Sequence, residues 1–324
     1  MTEVDCPMHP FSSLLHNLDD FLEHIDSARV ETIGEARDGS PIPAVSLGPE
    51  GAPTCVVIAG THSSELTGVS GAFDVVERLS PELESVALYV VPAVDVAGVR
   101  ENLSLLPSTP TLGSVLQLKS HRDLEGEFRD GDHPEAQALR QWLEGLPQID
   151  AFISLHAANH VVPGGYVYLG GNDEQMIAEA ATVLAARMDE TGFRRLAEDP
   201  TGVSGARIND GIFELPDAPG SCVDFVQEAF DPGVVLVTEL PVGLVVDGPV
   251  ELEQLDLWKQ SKECRPRYNP ALFNGIHVNF SAISSITAPM VCLTCAAVTR
   301  RTSTSYTLRN AKTLESLADS RVLV

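Results

Sequence analysis

The chain has 324 residues, of which 44% are hydrophobic and 21% charged, so it contains enough apolar material for a large core and is not globally disordered. The formal net charge of −25 argues against nucleic acid or an anionic membrane as a partner, because both bind through clustered lysine and arginine. The N-terminal residues are polar and acidic, and the sequence has no run of about 18 apolar residues. We therefore expect a soluble, cytoplasmic protein, whose oligomeric state the sequence leaves open.

The first half of the chain predicts strands that alternate with helices. An amphipathic helix is predicted within residues 14–25, followed by a β-hairpin in RVETIGEARDGSPIPAVSLG that turns at Asp38 and Gly39. A strand covered on both faces is predicted by the β-branched run PTCVVIAG, and a helix by the spacing of apolar residues in ELTGVSGAFDVVERL. A second buried strand follows in ESVALYVVPAVD, then a loop over residues 99–133, and then a helix in HPEAQALRQWLEGL.

The second half continues the same alternation. Two more buried strands are predicted by IDAFISLH and PGVVLVTELP, a short strand by GGYVYLGG, and a long helix by DEQMIAEAATVLAARMDE, with a glycine-rich loop region before the last strand. This order predicts a three-layer α/β fold with a mixed, mostly parallel sheet and helices on both faces. We divide the chain into an N-terminal helical segment (1–29), a catalytic domain (30–260) and a C-terminal segment (261–324), in which basic residues outnumber acidic ones. The last segment has no assigned role and is expected to complete the same domain.

Polar residues stand where three of the four predicted buried strands end. His62 and Glu65 follow the first buried strand, His156 ends the third, and Glu239 lies near the end of the fourth. Ligands of open α/β sheets bind at the carboxyl ends of the strands, and two imidazoles with one carboxylate form a three-ligand set for one catalytic Zn²⁺ ion. Each residue alone has an ordinary structural explanation, but together they predict a zinc-dependent hydrolase of amide bonds. Glu239 then acts as the general base for a metal-activated water.

Several segments resemble the zinc carboxypeptidase family in the order in which they occur. The likeness is carried by HSSE followed by LTG, then by SLH and VTELP, and is supported by IGEARDGSPIPAVSLG, VVPAVDVAG and DLEGEF over roughly residues 30 to 245. The resemblance implies that His62, Glu65 and His156 bind zinc and that Glu239 is the base and proton shuttle. It also implies a mixed, mostly parallel, eight-stranded sheet with helices on both faces.

The segment DLEGEF departs from the family pattern DLNRNF in a way that affects the substrate. Glu125 and Gly126 replace the Asn-Arg pair that grips the terminal carboxylate of a peptide in that family. Either Arg122 or Arg129 takes over this task, or the substrate lacks a free carboxylate, or it carries an amine that this acidic loop receives. Arg100 and Arg122 are the candidates for the arginine that polarises the scissile carbonyl.

Two other functions remain open at this stage. The first motif is also similar to THGNELTG of the aspartoacylase and succinylglutamate desuccinylase group, which predicts cleavage of N-acyl amino acids rather than small peptides. The other alternative is a zinc- or peptide-binding protein without catalysis on the same fold. Metal analysis and the identity of the hydrolysed substrate distinguish these possibilities.

Overall fold

The computed structural model describes residues 28–79, 83, 85–107, 110–115, 117–120, 122–158, 165–190, 195–199, 206–241, 244–245, 278–279 and 291. The helix predicted within residues 14–25 lies outside these ranges, and so does most of the predicted C-terminal segment. The division of the chain into three parts therefore stays a prediction. None of the helices in the described ranges is long and apolar enough to cross a membrane.

The described part of the chain contains eleven strands and six helices. The strands are β1 (Arg29–Glu35), β2 (Pro41–Leu47), β3 (Thr54–Ala59), β4 (Ala87–Val91), β5 (Ala151–Ala158), β6 (Tyr166–Gly170), β7 (Arg207–Asn209), β8 (Ile212–Glu214), β9 (Val234–Pro241), β10 (Leu244–Val245) and β11 (Val278–Asn279). The helices are α1 (Leu66–Leu79), α2 (Val96–Leu105), α3 (Leu112–Val115), α4 (Pro134–Glu144), α5 (Glu174–Glu190) and α6 (Cys222–Phe230). Strand and helix alternate through most of this order, as the sequence predicts.

Nine of these strands form one mixed sheet in the order β1-β2-β4-β3-β5-β9-β6-β8-β7. The four central strands β4, β3, β5 and β9 run parallel to one another, and antiparallel pairing begins where β2 joins β4 and where β6 joins β9. All six residues of β3 are buried, as expected for a strand covered on both faces. The family resemblance implies eight strands; the sequence pattern had not indicated the three-residue strands β7 and β8 at the sheet edge.

Two segments interpreted as loops contain helices. The predicted loop over residues 99–133 is wrong at its start, because α2 runs to Leu105 and is capped by Asp95, whose carboxylate accepts a hydrogen bond from the Gly98 N–H. Similarly, α6 lies in the segment before β9, and the Ser221 side chain caps it by accepting from the Asp224 N–H. Both helices are short, at 10 and 9 residues against 14 and 17 residues for α1 and α5.

The predicted hairpin is present, with β1 and β2 paired antiparallel and Gly39 at a φ of +81° in the turn.

Helix α1 packs closely against the parallel strand β5. A Cβ atom at Gly68 would stand 2.3 Å from the carbonyl oxygen of Leu155 on β5. Helix α1 therefore approaches β5 more closely than any side chain at this position permits, and this contact is next to His156.

Candidate metal centre

The predicted site residues lie at the carboxyl ends of adjacent parallel strands. Strand β3 ends at Ala59, Gly60 turns the chain at a φ of +67°, and His62 lies in the turn that leads into α1. The sequence predicted Glu65 inside the helix, but Glu65 immediately precedes the first helical residue. His156 is followed by two further residues of β5, so the strand extends past the position where its end was predicted.

The structure brings His62, Glu65 and His156 together, with one ligand atom from each lying within 4.8 Å of the others. The Glu65 carboxylate joins the two rings: Oε1 is 3.0 Å from Nδ1 of His62, and Oε2 is 3.0 Å from Nδ1 of His156. The two Nδ1 atoms are 3.2 Å apart. Glu65 and His156 are 4% and 3% exposed, and the His62 side chain is 25% exposed, so the cluster is reached from the side of His62.

The turn that carries His62 and Glu65 is held in place by the segment before Asp123. Ser64 donates its N–H to the hydroxyl of Ser120, and the two hydroxyls are 2.8 Å apart. The buried Asn102 on α2 donates its amide to the carbonyl oxygens of both Ser63 and Lys119, at 2.9 Å each. These hydrogen bonds join the turn to a distant loop.

Each histidine has a second partner that orients its ring. Nε2 of His62 lies 3.2 Å from Oδ1 of Asp123, and Nε2 of His156 lies 2.8 Å from the Ser154 hydroxyl. Partners of this kind set the tautomer of a metal-binding imidazole and direct its other nitrogen toward the ion. Neither Asp123 nor Ser154 was among the site residues predicted from the sequence. Ser154 had a local signal, because it stands two residues before His156 and so lies on the same face of β5.

The electrostatics of the cluster are those of a cation site. Burial alone would lower the pKa of His62, but the carboxylates of Asp123 and Glu65 outweigh it and raise this pKa. His156 shows the same pattern: burial lowers its pKa, and Glu65 raises it above the ordinary value. Hydrogen bonding to His62 in turn lowers the pKa of Asp123 to about 2. The carboxylates of Glu65 and Asp123 therefore place negative charge beside the imidazole rings, which favours a cation at this point.

The donor set fits Zn²⁺. Two imidazole nitrogens and a carboxylate oxygen are the ligand types that zinc prefers, and three protein ligands leave one position of a tetrahedron for water or substrate. The second nitrogen of each histidine already has a partner, and the Ala157 N–H donates to Oε2 of Glu65 at 3.1 Å. His62, Glu65 and His156 are therefore the residues that would hold a zinc ion.

Glu239 lies beside the cluster on the next parallel strand. It is the register partner of His156 on β9, and on its other side it pairs with Tyr166 of the antiparallel strand β6. Register partners in a sheet point to the same face, so His156, Glu239 and Tyr166 form one row across three strands. Burial first, and then the nearby charge of Glu239, raise the pKa of the Tyr166 hydroxyl.

The three arginines considered from the sequence have partners elsewhere. Arg122 makes buried ion pairs with Asp95 and Glu135, at 2.7 Å each. Arg129 pairs with two acidic residues of α6 and lies over the Phe225 ring. Arg100 donates to the Ser40 hydroxyl at 2.7 Å, beside the hairpin turn. Within the described residues, none of the three hydrogen-bonds or ion-pairs with His62, Glu65 or His156.

Glu125 does approach the cluster. Its Oε2 atom lies 3.9 Å from Nε2 of His156, and its Oε1 atom accepts a hydrogen bond of 3.3 Å from the Val223 N–H at the start of α6. The neighbouring acidic residue Glu127 is exposed and pairs with His133 at 2.9 Å. Of the two glutamates in DLEGEF, only Glu125 is directed at the predicted ligands.

Comparison with known proteins identifies the fold. No family model matches this chain, and no curated protein does. Among solved structures, it is similar to a metallo-carboxypeptidase from Burkholderia cenocepacia, with a TM-score of 0.55 and 17% identity over 89% of this chain and 69% of that chain. It is also similar to a Pseudomonas aeruginosa metallo-carboxypeptidase in complex with (2-guanidinoethylmercapto)succinic acid (TM-score 0.52, 16% identity, 87% of this chain and 68% of that chain). A third similar structure is bovine thrombin-activatable fibrinolysis inhibitor in complex with tick carboxypeptidase inhibitor (TM-score 0.53, 13% identity, 95% and 98%). At these identities the likeness shows the fold alone, and it confirms the predicted fold class.

Proposed function

We propose that this protein is a zinc-dependent hydrolase of amide bonds with a metallocarboxypeptidase-like reaction, acting on a small peptide or an N-acyl amino acid. The observation that carries the proposal is the convergence of His62, Glu65 and His156 at one edge of the sheet, with Glu239 in register with His156. The shared fold of metallo-carboxypeptidases supports it.

The residues divide the work as follows. His62, Glu65 and His156 hold the ion, while Asp123 and Ser154 orient the two imidazole rings through their second nitrogens. A bound zinc ion supplies a Lewis acid for the scissile carbonyl and lowers the pKa of water to about 7. Glu239 accepts a proton from the attacking water and passes it to the leaving nitrogen, which departs as an amine.

Glu239 suits the role of base because it lies next to a residue that would hold the ion and is not itself one of the proposed ligands. It is partly buried at the carboxyl end of its strand, next to the ligand His156, and is not a member of the three-residue ligand cluster. The assignment of Arg100 or Arg122 as the carbonyl-polarising group stays a prediction, and their pairing with Ser40, Asp95 and Glu135 does not support it.

The proposal is tested with zinc-loaded protein and two substrate panels, one of short peptides and one of N-acyl amino acids, by measuring the amine released. Release of C-terminal residues from the peptides supports the carboxypeptidase-like reaction. Cleavage of only the N-acyl amino acids supports the aspartoacylase-like alternative. If the protein binds stoichiometric zinc but hydrolyses neither panel, nor simple amides of benzoylglycine or n-butylamine, the result supports the alternative of a non-catalytic binding protein.

A further inference from the structure

We propose that Glu125 makes the candidate site select a substrate with a protonated amine close to the scissile amide, in place of one with a free carboxylate. The inference rests on the proposed function, because it names the substrate class of the same site. It goes further in assigning specificity to a single carboxylate that has no lysine or arginine partner among the described residues.

Position is the first argument. Oε2 of Glu125 lies 3.9 Å from Nε2 of His156. Glu125 therefore stands on the opposite side of the His156 ring from Nδ1, the nitrogen that faces Glu65. The Glu125 side chain is only 15% exposed, and Oε2 is buried and accepts no hydrogen bond from any residue that the structure describes. A buried carboxylate oxygen without a donor is costly, and a ligand with N–H groups would relieve that cost.

The orientation of the carboxylate is fixed from its other end. Oε1 accepts a hydrogen bond from the Val223 N–H, in the first turn of α6. The positive end of a helix dipole favours a carboxylate at this place. With Oε1 held by the helix, Oε2 is the atom left to receive a ligand.

The nearby cations are already neutralised by other residues. Arg122 is paired with Asp95 and Glu135, and Arg129 with Asp224 and Glu228. A substrate carboxylate that entered beside His156 would therefore meet the charge of Glu125 with no described guanidinium to receive it. An ammonium group would instead form a charge-assisted hydrogen bond in a place of low water content.

Another explanation of Glu125 is that it orients His156, as carboxylates behind metal ligands often do. The distances favour substrate recognition, because Ser154 already holds Nε2 of His156 at 2.8 Å while Glu125 stands at 3.9 Å. The two explanations differ in what a change at Glu125 does. If Glu125 orients His156, the change weakens zinc binding and affects all substrates alike. If Glu125 recognises the substrate, the change alters the choice between substrates.

The test uses matched amides of benzoylglycine with 1,4-diaminobutane, n-pentylamine and 5-aminopentanoic acid, which end in an ammonium, a methyl and a carboxylate group. A mirrored set of n-butylamides of 5-aminopentanoic, hexanoic and adipic acid places the same groups on the acyl side. In at least one set, we expect zinc-loaded wild-type protein to prefer the ammonium compound over the methyl compound by about 10- to 100-fold in kcat/KM. Glu125→Gln, which keeps an acceptor for the Val223 N–H, should remove this preference.

Glu127→Gln is the matched control, because it removes the same charge from the same loop at an exposed position that pairs with His133. It should change the preference by less than about twofold, as expected for a screened surface charge. Equal rates for the ammonium and carboxylate compounds in both sets would overturn the inference while leaving the hydrolase intact. A weaker zinc affinity in Glu125→Gln with unchanged selectivity would also overturn it, in favour of ring orientation.

Binding decides the question even if no amide is hydrolysed. In that case the proposed function fails, and calorimetric titration of the zinc-loaded protein with each intact compound measures selectivity directly. Tighter binding of the ammonium compound to wild type than to Glu125→Gln, by a similar factor, supports the specificity assignment. Equal affinities in the two proteins rule it out.

Discussion

His156 and Glu239 occupy the same register on the neighbouring parallel strands β5 and β9. The two side chains therefore lie on one face of the sheet, where His156 meets Glu65 and Glu239 stands next to it without joining the ligand cluster. This places a candidate ligand and a candidate base side by side, although they lie 83 positions apart in the sequence.

From this relationship we expect Glu239→Gln to retain zinc and lose hydrolysis. Glutamine keeps the size and the carbonyl oxygen of the side chain but does not accept a proton at neutral pH, so kcat should fall by about 10²- to 10⁴-fold. Steady-state kinetics with metal analysis on the same sample measure both effects. Glu174→Gln, on the exposed start of α5, is the matched control. Turnover near the wild-type rate would remove Glu239 from the mechanism.

Removal of either candidate imidazole should abolish zinc binding. His62→Ala and His156→Ala each leave two of three protein ligands, which is insufficient for a stable catalytic site. Elemental analysis after dialysis should find one zinc ion per chain in wild type and a substoichiometric amount in both variants. His133→Ala, which removes a histidine whose ion-pair partner among the described residues is the exposed Glu127, should bind zinc like wild type. Full zinc occupancy in His156→Ala would disprove the ligand assignment.

The Asp123 carboxylate should tune zinc affinity without ligating the ion. It lies 3.2 Å from Nε2 of His62, and its Oδ1 atom is also fixed by the Gly126 N–H at 2.7 Å. Asp123→Asn should weaken zinc binding by about 10- to 100-fold, which is the usual effect of losing such a partner. Competition with a chelating dye measures this affinity. Asp130→Asn, on the same loop and exposed, should leave it unchanged.

The ion pairs of Arg122 should matter for stability and should depend on pH. Arg122→Met leaves the buried carboxylates of Asp95 and Glu135 without their cation, which costs about 3–5 kcal/mol of unfolding free energy at neutral pH. Burial raises the pKa of Glu135, but hydrogen bonds from Arg122 and Arg37 lower it below 4.5 overall.

A lowered pKa in the folded state means that the contribution of Glu135 is present above pH 4.5 and is lost as the pH falls through the folded-state value. The difference between wild type and Arg122→Met, measured by urea unfolding, should therefore be large at pH 7 and shrink in acid below pH 4.5. A difference that stays constant over this range would show that Glu135 does not contribute through its charge.

The close contact of α1 with β5 predicts that Gly68→Ala disturbs both stability and the site. The added methyl group would stand 2.3 Å from the Leu155 carbonyl oxygen, so helix and strand must separate next to His156. We expect a loss of at least about 1–3 kcal/mol, the usual cost of overpacking, together with weaker zinc binding. Gly145→Ala, at a φ of −78° beyond α4, should change stability by less than about 1 kcal/mol. If Gly68→Ala binds zinc as tightly as wild type, the contact between α1 and β5 does not influence the metal centre.

The fold was predictable where apolar runs were long and regular. Strand β3 is buried along its whole length, as its continuous β-branched run predicted, and α5 spans 17 residues, which is long enough to be recognised as a helix in the sequence. Helices α2 and α6 were missed because they depend on short-range capping by Asp95 and Ser221 and on tertiary packing of a few residues. Strands β7 and β8 are too short to show a period.

The sequence by itself determined which residues are candidates for the metal centre: His62, Glu65, His156 and Glu239 are polar groups at the ends of otherwise apolar strands. Only the tertiary structure decided how they are supported and which charged side chains lie next to them. The strand order β3-β5-β9 brings the four together, and the loop after α3 supplies Asp123 and Glu125. The partners of the arginines depend equally on packing, because Arg122 and Arg129 are neutralised by carboxylates from other elements. Local pattern reports the burial of a segment, but the charge that faces a site depends on contacts between residues far apart in the chain.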